Sequence, residues 1–185
     1  VGKVEITGDT ISVPRQELLE KLSIRKKDYY DREAIAKDLD YLTRMTQNDG
    51  YAYAEISPKT QTNEAEQKVD VTYDIKKGSL VYFNRINISG NTKTRDKVIR
   101  RQLEFTEGDL YNSDKVKNSY ARLNRLRYFE EVNFQTAKGP EESLTDINIG
   151  VKERPTGLFS VGAGYSGQDG AMLMAQIAQQ NLFGR

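Results

Sequence analysis

Glu130-Glu131 and Glu141-Glu142 are the adjacent carboxylate pairs whose type suggests general acid–base work, which needs two carboxyl groups converging on one reacting atom. Neighbours in a strand point to opposite faces, and neighbours in a turn face solvent, so neither pair converges. The chain of 185 residues holds no histidine and no cysteine, which removes the commonest general base, the commonest metal ligand and the thiol nucleophile together. No phosphate-cradling GxxxxGK[ST] loop occurs. The residues describe a protein without catalysis, cofactor or metal. Cations cluster at Arg95, Lys97, Arg100 and Arg101, followed by Glu104 and Glu107, and again at Lys115, Lys117, Arg122, Arg125 and Arg127. Each cluster reads either as a solvated helix face or as a docking surface, with lipid headgroups the partner that would suit the second. A net charge of +1 gives no general attraction to nucleic acid.

The elements that must position these residues occur twice, over 1–78 and 81–154. Val4 and Ile6 before Gly8-Asp9 are answered by Ile86 and Ile88 before Gly90-Asn91, each a short alternating strand ending in a turn. A first helix follows. Pro14 suits its opening turn in one copy, with Leu18, Leu19 and Leu22 as the apolar stripe. In the other, Thr94 is the expected N-cap and Val98, Ile99 and Leu103 form the matching face. Lys27-Asp-Tyr-Tyr-Asp then parallels Gly108-Asp-Leu-Tyr-Asn. Asp31 and Asn112 are placed as N-caps of a second helix, with Tyr30 and Tyr111 stapled to Ile35 and Val116. Leu39, Leu42 and Met45, and Tyr120, Leu123 and Leu126, continue one face of each helix. Tyr30, Tyr111 and Tyr120 read as core or staple residues.

Aromatic strand starts follow, at Gly50-Tyr-Ala-Tyr-Ala-Glu-Ile and Tyr128-Phe-Glu-Glu-Val-Asn-Phe. Polar turns come next, at Thr62-Asn-Glu-Ala-Glu-Gln and Ala137-Lys-Gly-Pro-Glu-Glu-Ser. Closing strands then alternate at Val69, Val71, Tyr73 and Ile75, and at Ile147, Ile149 and Val151. Each copy is therefore expected to be β-α-α-β-β, a three-stranded mixed sheet covered by two helices, and the fold class is α+β. Domains are expected at 1–78 and 79–154, with a distinct segment at 155–185.

That last segment has another character. From 156 onward only Asp169 and Arg185 are charged. Phe159, Val161, Ala163 and Tyr165 alternate with Ser160, Gly162, Gly164 and Ser166. After Gly167-Gln-Asp-Gly, the residues Ala171, Leu173, Ala175 and Ile177 alternate with Met172, Met174, Gln176 and Ala178. Ten-residue segments of this kind, joined by a tight turn, fit either a soluble hairpin or transmembrane β-strands. No run of apolar residues is long enough for a membrane helix. The start at Val1 without methionine, inside a strand, and the stop after Phe183-Gly-Arg read as a piece of a longer chain.

Several strings carry a resemblance: Gly50-Tyr-Ala-Tyr; Gly90-Asn-Thr-Lys-Thr-Arg-Asp-Lys-Val-Ile-Arg-Arg; Arg122-Leu-Asn-Arg-Leu-Arg-Tyr-Phe-Glu-Glu-Val; Val151-Lys-Glu-Arg-Pro-Thr-Gly; and Asn181-Leu-Phe-Gly. The β-α-α-β-β unit resembles the polypeptide-transport-associated (POTRA) domain. The whole chain is similar to the last two such domains of the BamA-type outer-membrane protein assembly factor family, followed by the first two strands of its barrel. Arg127 departs from the pattern, because many POTRA domains place glycine before this tyrosine, and the departure bears on the local turn. The resemblance implies a Gram-negative-type outer-membrane protein with these domains in the periplasm. It implies unfolded outer-membrane protein clients, accessory assembly lipoproteins, contact with the outer membrane through the rest of the barrel, no nucleic acid, and no covalent chemistry.

A three-stranded sheet has edges, and an exposed edge is a template for another strand. If the first strand pairs with the far side of the third, the second strand, 51–57 or 128–134, is open. Tyr51, Tyr53, Glu55, Tyr128, Glu130 and Val132 are then the candidate strand-addition residues for a client; the plainer reading is a folded spacer with protected edges. Pro58 is expected to end the first of these edges. In studied relatives an accessory lipoprotein contacts the first helix of the last domain and the loop after it, which implies Arg100, Arg101 and Glu107 here. Related translocases, of the two-partner secretion or TamA kind, and a division-type POTRA scaffold without a barrel are the alternatives.

Overall fold

The computed structural model describes residues 1–63, 67–155, 157–168 and 170–179. The middle of the first polar turn, Asp169, and the Asn181-Leu-Phe-Gly string lie outside the described residues. The chain divides into two compact units. The first takes in Val1–Asn84, Glu107–Lys115 and Lys138–Thr145; the second takes in Arg85–Thr106, Val116–Ala137 and the described residues from Asp146 on.

In the first unit the order is β1 (Val4–Gly8), α1 (Arg15–Lys21), a 3-10 turn (Ile24–Lys26), α2 (Arg32–Asn48), β2 (Glu55–Asn63) and β3 (Lys68–Lys76). The sheet runs β1-β3-β2, with β1 parallel and β2 antiparallel to β3. Strict alternation on β3 buries Val71, Tyr73 and Ile75. They meet Leu18 and Leu22 at α1, Ile24 from the 3-10 turn, and Ala34, Ile35 and Leu42 of α2. Each fully buried leucine is worth roughly 2 kcal/mol. Asp31 is the N-cap of α2, accepting the Glu33 N–H at 2.9 Å and the Ala34 N–H at 3.4 Å. Pro14 sits at the N-cap position of α1.

Three details of this unit differ from expectation. Residues 51–54 form a turn, closed by the Ala54 N–H on the Tyr51 carbonyl, and β2 begins only at Glu55. Gly50 starts that turn from a left-handed backbone (φ 98°). Pro58 does not end β2, which runs on to Asn63; an outer strand tolerates a residue that has no N–H to give. Tyr30 is not core, at 40% exposure.

The second sheet, β4 (Tyr82–Ser89), β5 (Phe129–Lys138) and β6 (Leu144–Glu153), repeats the order as β4-β6-β5. In the second unit Ile147, Ile149 and Val151 of β6 are buried, as are Ile99, Phe105 and Leu123. The first helix of this copy, α3, is only Asp96–Arg100, so Leu103 lies beyond it. Arg95 rather than Thr94 stands at its N-cap position, with no side-chain cap bond, and the Thr94 N–H donates to Glu153 at 2.6 Å. The second helix, α4 (Ser113–Arg125), has Asn112 as its cap, accepting the Lys115 N–H at 2.9 Å. Tyr111 is buried, whereas Tyr120 is 42% exposed and meets Phe134 edge-on at 5.8 Å.

The last elements, β7 (Gly157–Ser166) and β8 (Gly170–Gln179), form an antiparallel hairpin. Its register sets Phe159, Val161, Ala163 and Tyr165 opposite Ile177, Ala175, Leu173 and Ala171. That face is wholly apolar. Ser160, Gly162 and Gly164 pair with Gln176, Met174 and Met172 on the other face. Tyr165, Leu173 and Ile177 are each at least 80% exposed.

Candidate functional site

The expected strand-addition residues fall into three situations. Tyr51 and Tyr53 precede β2, in the turn, and offer no strand backbone. Lys77 Nζ lies 4.9 Å from the Tyr51 ring centre, and Lys138 Nζ 5.5 Å from that of Tyr53. Glu55 does open β2, opposite Lys76 and exposed to solvent. Beyond it, the outward-facing stretch of β2 is polar, with Lys59 paired to Asp74 at 3.0 Å. The Lys59 ammonium beside Asp74 holds that carboxyl below its ordinary value.

On the second sheet, Tyr128 stands just before β5 with its carbonyl accepting the Arg154 N–H at 2.9 Å. Glu130 is exposed and paired with Lys152 at 3.1 Å. Val132 is buried, so it has only backbone to offer an incoming strand. Glu130 and Glu131 are both exposed between buried Phe129 and Val132, a break in alternation along β5.

The expected lipoprotein-docking residues are also separated by role. Arg100 donates from Nη2 to the Ile86 carbonyl at 2.9 Å, so part of its guanidinium serves β4. Arg101 follows at the end of α3 and is exposed. Glu107 is exposed and belongs to the first unit, whereas the two arginines belong to the second. In the second basic run, Arg122 pairs with Glu104 at 2.6 Å.

Two polar anchors escaped the sequence reading. Glu153 accepts hydrogen bonds from Thr92 Oγ1 at 2.7 Å, the Lys93 N–H at 2.9 Å and the Thr94 N–H at 2.6 Å. Partial burial pushes its pKa up, but these hydrogen bonds to the carboxylate together outweigh burial and bring it down to about 2. Gly90 closes the same corner with φ 86°; a Cβ there would lie 1.9 Å from the Val151 carbonyl oxygen. The strings around Gly90 and Val151 are thus two halves of one joint.

Asp38, only 1% exposed, is the other anchor. It accepts the Ser23 N–H at 2.5 Å, the Ile24 N–H at 3.0 Å and the Tyr73 hydroxyl at 3.0 Å. Burial first, and the Asp38 charge second, hold the Tyr73 hydroxyl far above its usual pKa. Ser119 occupies the same place in α4, seven residues after the cap, and accepts the Glu104 N–H at 2.8 Å. The signal was a polar residue on an apolar stripe, three after Ile35 and four before Leu42.

Among the described residues none of these groups converges on a reacting atom; the candidate residues lie at sheet edges and on a charged helix face. Among the described residues no helix is long and apolar enough to cross a membrane, which says nothing of strands. The chain is 37% identical over 186 residues to the outer membrane protein assembly factor BamA of Neisseria meningitidis serogroup B, covering 99% of this chain and 23% of that protein. It is 36% identical over 188 residues to the protein of that name from Nitratidesulfovibrio vulgaris, covering 100% of this chain and 24% of the relative. It thus spans about a quarter of the length of these curated relatives. The fold is similar to the crystal structure of BamA from Haemophilus ducreyi lacking POTRA domains 1-3, with a TM-score of 0.79 and 25% identity, over 100% of this chain and 35% of that one. The family model for the surface antigen variable number repeat, POTRA, matches at 1–78 and again at 81–154. With each match covering one strand-helix-helix-strand-strand copy, the chain belongs to the POTRA family.

Proposed function

We propose that this chain is the periplasmic arm, and the first part of the barrel, of an outer-membrane β-barrel assembly factor. The arm binds unfolded outer-membrane proteins by strand addition and passes them toward the membrane without covalent chemistry. In this reading the modules are 1–78 and 79–154, and the barrel starts within 155–185. Relatives named as outer membrane protein assembly factors support the setting. The two-faced hairpin supports the barrel, since ten-residue strands with one apolar face suit a bilayer. Two strands alone would leave unpaired backbone in lipid, so further strands must close the barrel.

The observation that carries the binding step is the place of β2 on the outside of the order β1-β3-β2. Between residues 55 and 62 its outer side faces no other strand of the sheet among the described residues, and main-chain pairing tolerates diverse client sequences. Arg101, at the end of α3 in the second unit, is the residue proposed to meet an accessory lipoprotein, and Glu107, in the first unit, is a separate candidate contact.

Strand addition makes a measurable claim about hydrogen exchange. Binding of an extended client peptide slows exchange of the outward β2 amides while leaving those of α2 unchanged. Slowing confined to α1 and α2 contradicts the reading.

A further inference from the structure

The outer strands of the two sheets are not equally open. In a strand, successive residues send their backbone groups to opposite sides. On β1 the Lys3 carbonyl accepts the Val71 N–H at 2.9 Å, and the Asp9 N–H donates to the Ile75 carbonyl at 2.8 Å. Odd-numbered residues therefore face β3, and even-numbered ones face the free edge. Gly8 is even-numbered, and its carbonyl accepts a hydrogen bond from Arg15 Nη2. In the second copy Gly90 holds the place of Gly8, so Ile86 holds that of Val4, another outward residue. The Ile86 carbonyl is the one that Arg100 Nη2 takes at 2.9 Å.

The opposite edge of the second sheet shows the same device. The Tyr128 carbonyl accepts the Arg154 backbone N–H, so it faces β6. Phe129 comes ahead of the break at Glu130-Glu131, so alternation from Tyr128 turns its carbonyl away, and Arg154 Nε donates to it at 3.0 Å. Three of the four outer strands thus carry a guanidinium on an outward carbonyl. Along β2, no side-chain cation rests on a backbone carbonyl between residues 55 and 62 among the described residues, and Lys59 is turned to Asp74.

We propose that Arg15, Arg100 and Arg154 are edge guards that reserve β2 as the entry edge for an extended chain. This deepens, and rests on, the strand-addition reading above. An incoming strand places its N–H groups on outward carbonyls, and a bound guanidinium competes with them for that acceptor. Arginine keeps its charge at every working pH, so the guard does not lapse on titration. Removing Arg154 leaves its backbone N–H to Tyr128 intact but frees the Phe129 carbonyl, and the β5 edge becomes competent.

The test uses the full chain, labelled with 15N, and a synthetic peptide of the β7 sequence, residues 157–166, as the extended probe. Amide shifts are mapped in the unaltered chain, in Arg154→Ala and, separately, in Arg100→Ala. The Thr94 amide, held by Glu153, reports that the second unit remains folded. The guard predicts shifts on β2 alone in the unaltered chain. It predicts added shifts at 129–134 in Arg154→Ala, with stoichiometry rising from one peptide toward two, and added shifts on β4 in Arg100→Ala. Peptide binding to β5 in the unaltered chain overturns the guard, as does a β5 that stays silent in folded Arg154→Ala while β2 binds; strand addition survives both results. Silence at every edge in every variant overturns strand addition and the guard with it.

Discussion

At the scale of single residues, two hydrogen-bonded carboxylates and two left-handed corners hold the modules in shape. Glu153 titrates at about 2 in the folded chain against an ordinary 4.5. A lowered folded pKa means that its stabilisation is complete above about pH 4.5 and is lost as pH falls toward 2. Glu153→Gln should therefore cost roughly 1.5–3 kcal/mol at neutral pH, the scale of hydrogen bonds to a charged group. The gap from the unaltered chain should close on acidification, in urea unfolding followed at the Thr94 amide; a gap independent of pH contradicts the assignment. Arg127 sits at φ 58°, in the place that Gly50 takes at φ 98° in the first copy. Non-glycine residues pay about 1–2 kcal/mol there, against about 0.5–1 kcal/mol for the added freedom of glycine. Arg127→Gly is expected to raise stability by roughly 0.5 kcal/mol or more, read from the shift in the urea midpoint. Gly90→Ala, which drives a Cβ onto the Val151 carbonyl, should lower it by roughly 2–4 kcal/mol.

At the scale of elements, the helix pair of each copy is tied by one buried polar residue of the second helix. Asp38 is a buried carboxylate that accepts from three donors, whereas Ser119 is a neutral hydroxyl that accepts the Glu104 N–H, so the two ties differ in chemistry. Asp38→Ala strands buried donors and should cost roughly 3 kcal/mol or more, whereas Ser119→Ala should cost about 1–2 kcal/mol. Equal losses in denaturant unfolding would contradict the comparison. The same elements mark what was legible in the sequence. Caps at Asp31 and Asn112 and the alternation of β3 were legible because their partners lie within a few residues or follow a period. The start of β2 was not, because left-handed Gly50 spends Tyr51–Ala54 on a turn that aromatic content disguises as strand. The anchoring roles of Glu153 and Arg154 are not legible in the sequence, since their partners lie 59–61 and 25 residues away and no local period points to them. Val132 is buried and not an edge side chain, because β5 breaks the regular alternation that would set it beside Tyr128 and Glu130.

At the scale of the whole molecule, both sheets share one order, and both leave their second strand outermost. The order alone makes β2 and β5 equivalent; arginine placement makes them unequal. An apolar hairpin face lies directly after the second module in sequence, which suits the proposed handover of extended clients to a barrel. The most direct measurement is photo-crosslinking in the full-length membrane protein during client insertion. Probes would stand one at a time at Gln61 on β2 and at Lys37 on the exposed face of α2. The account predicts client adducts at Gln61 and none at Lys37; adducts at Lys37 with none at Gln61 would contradict it.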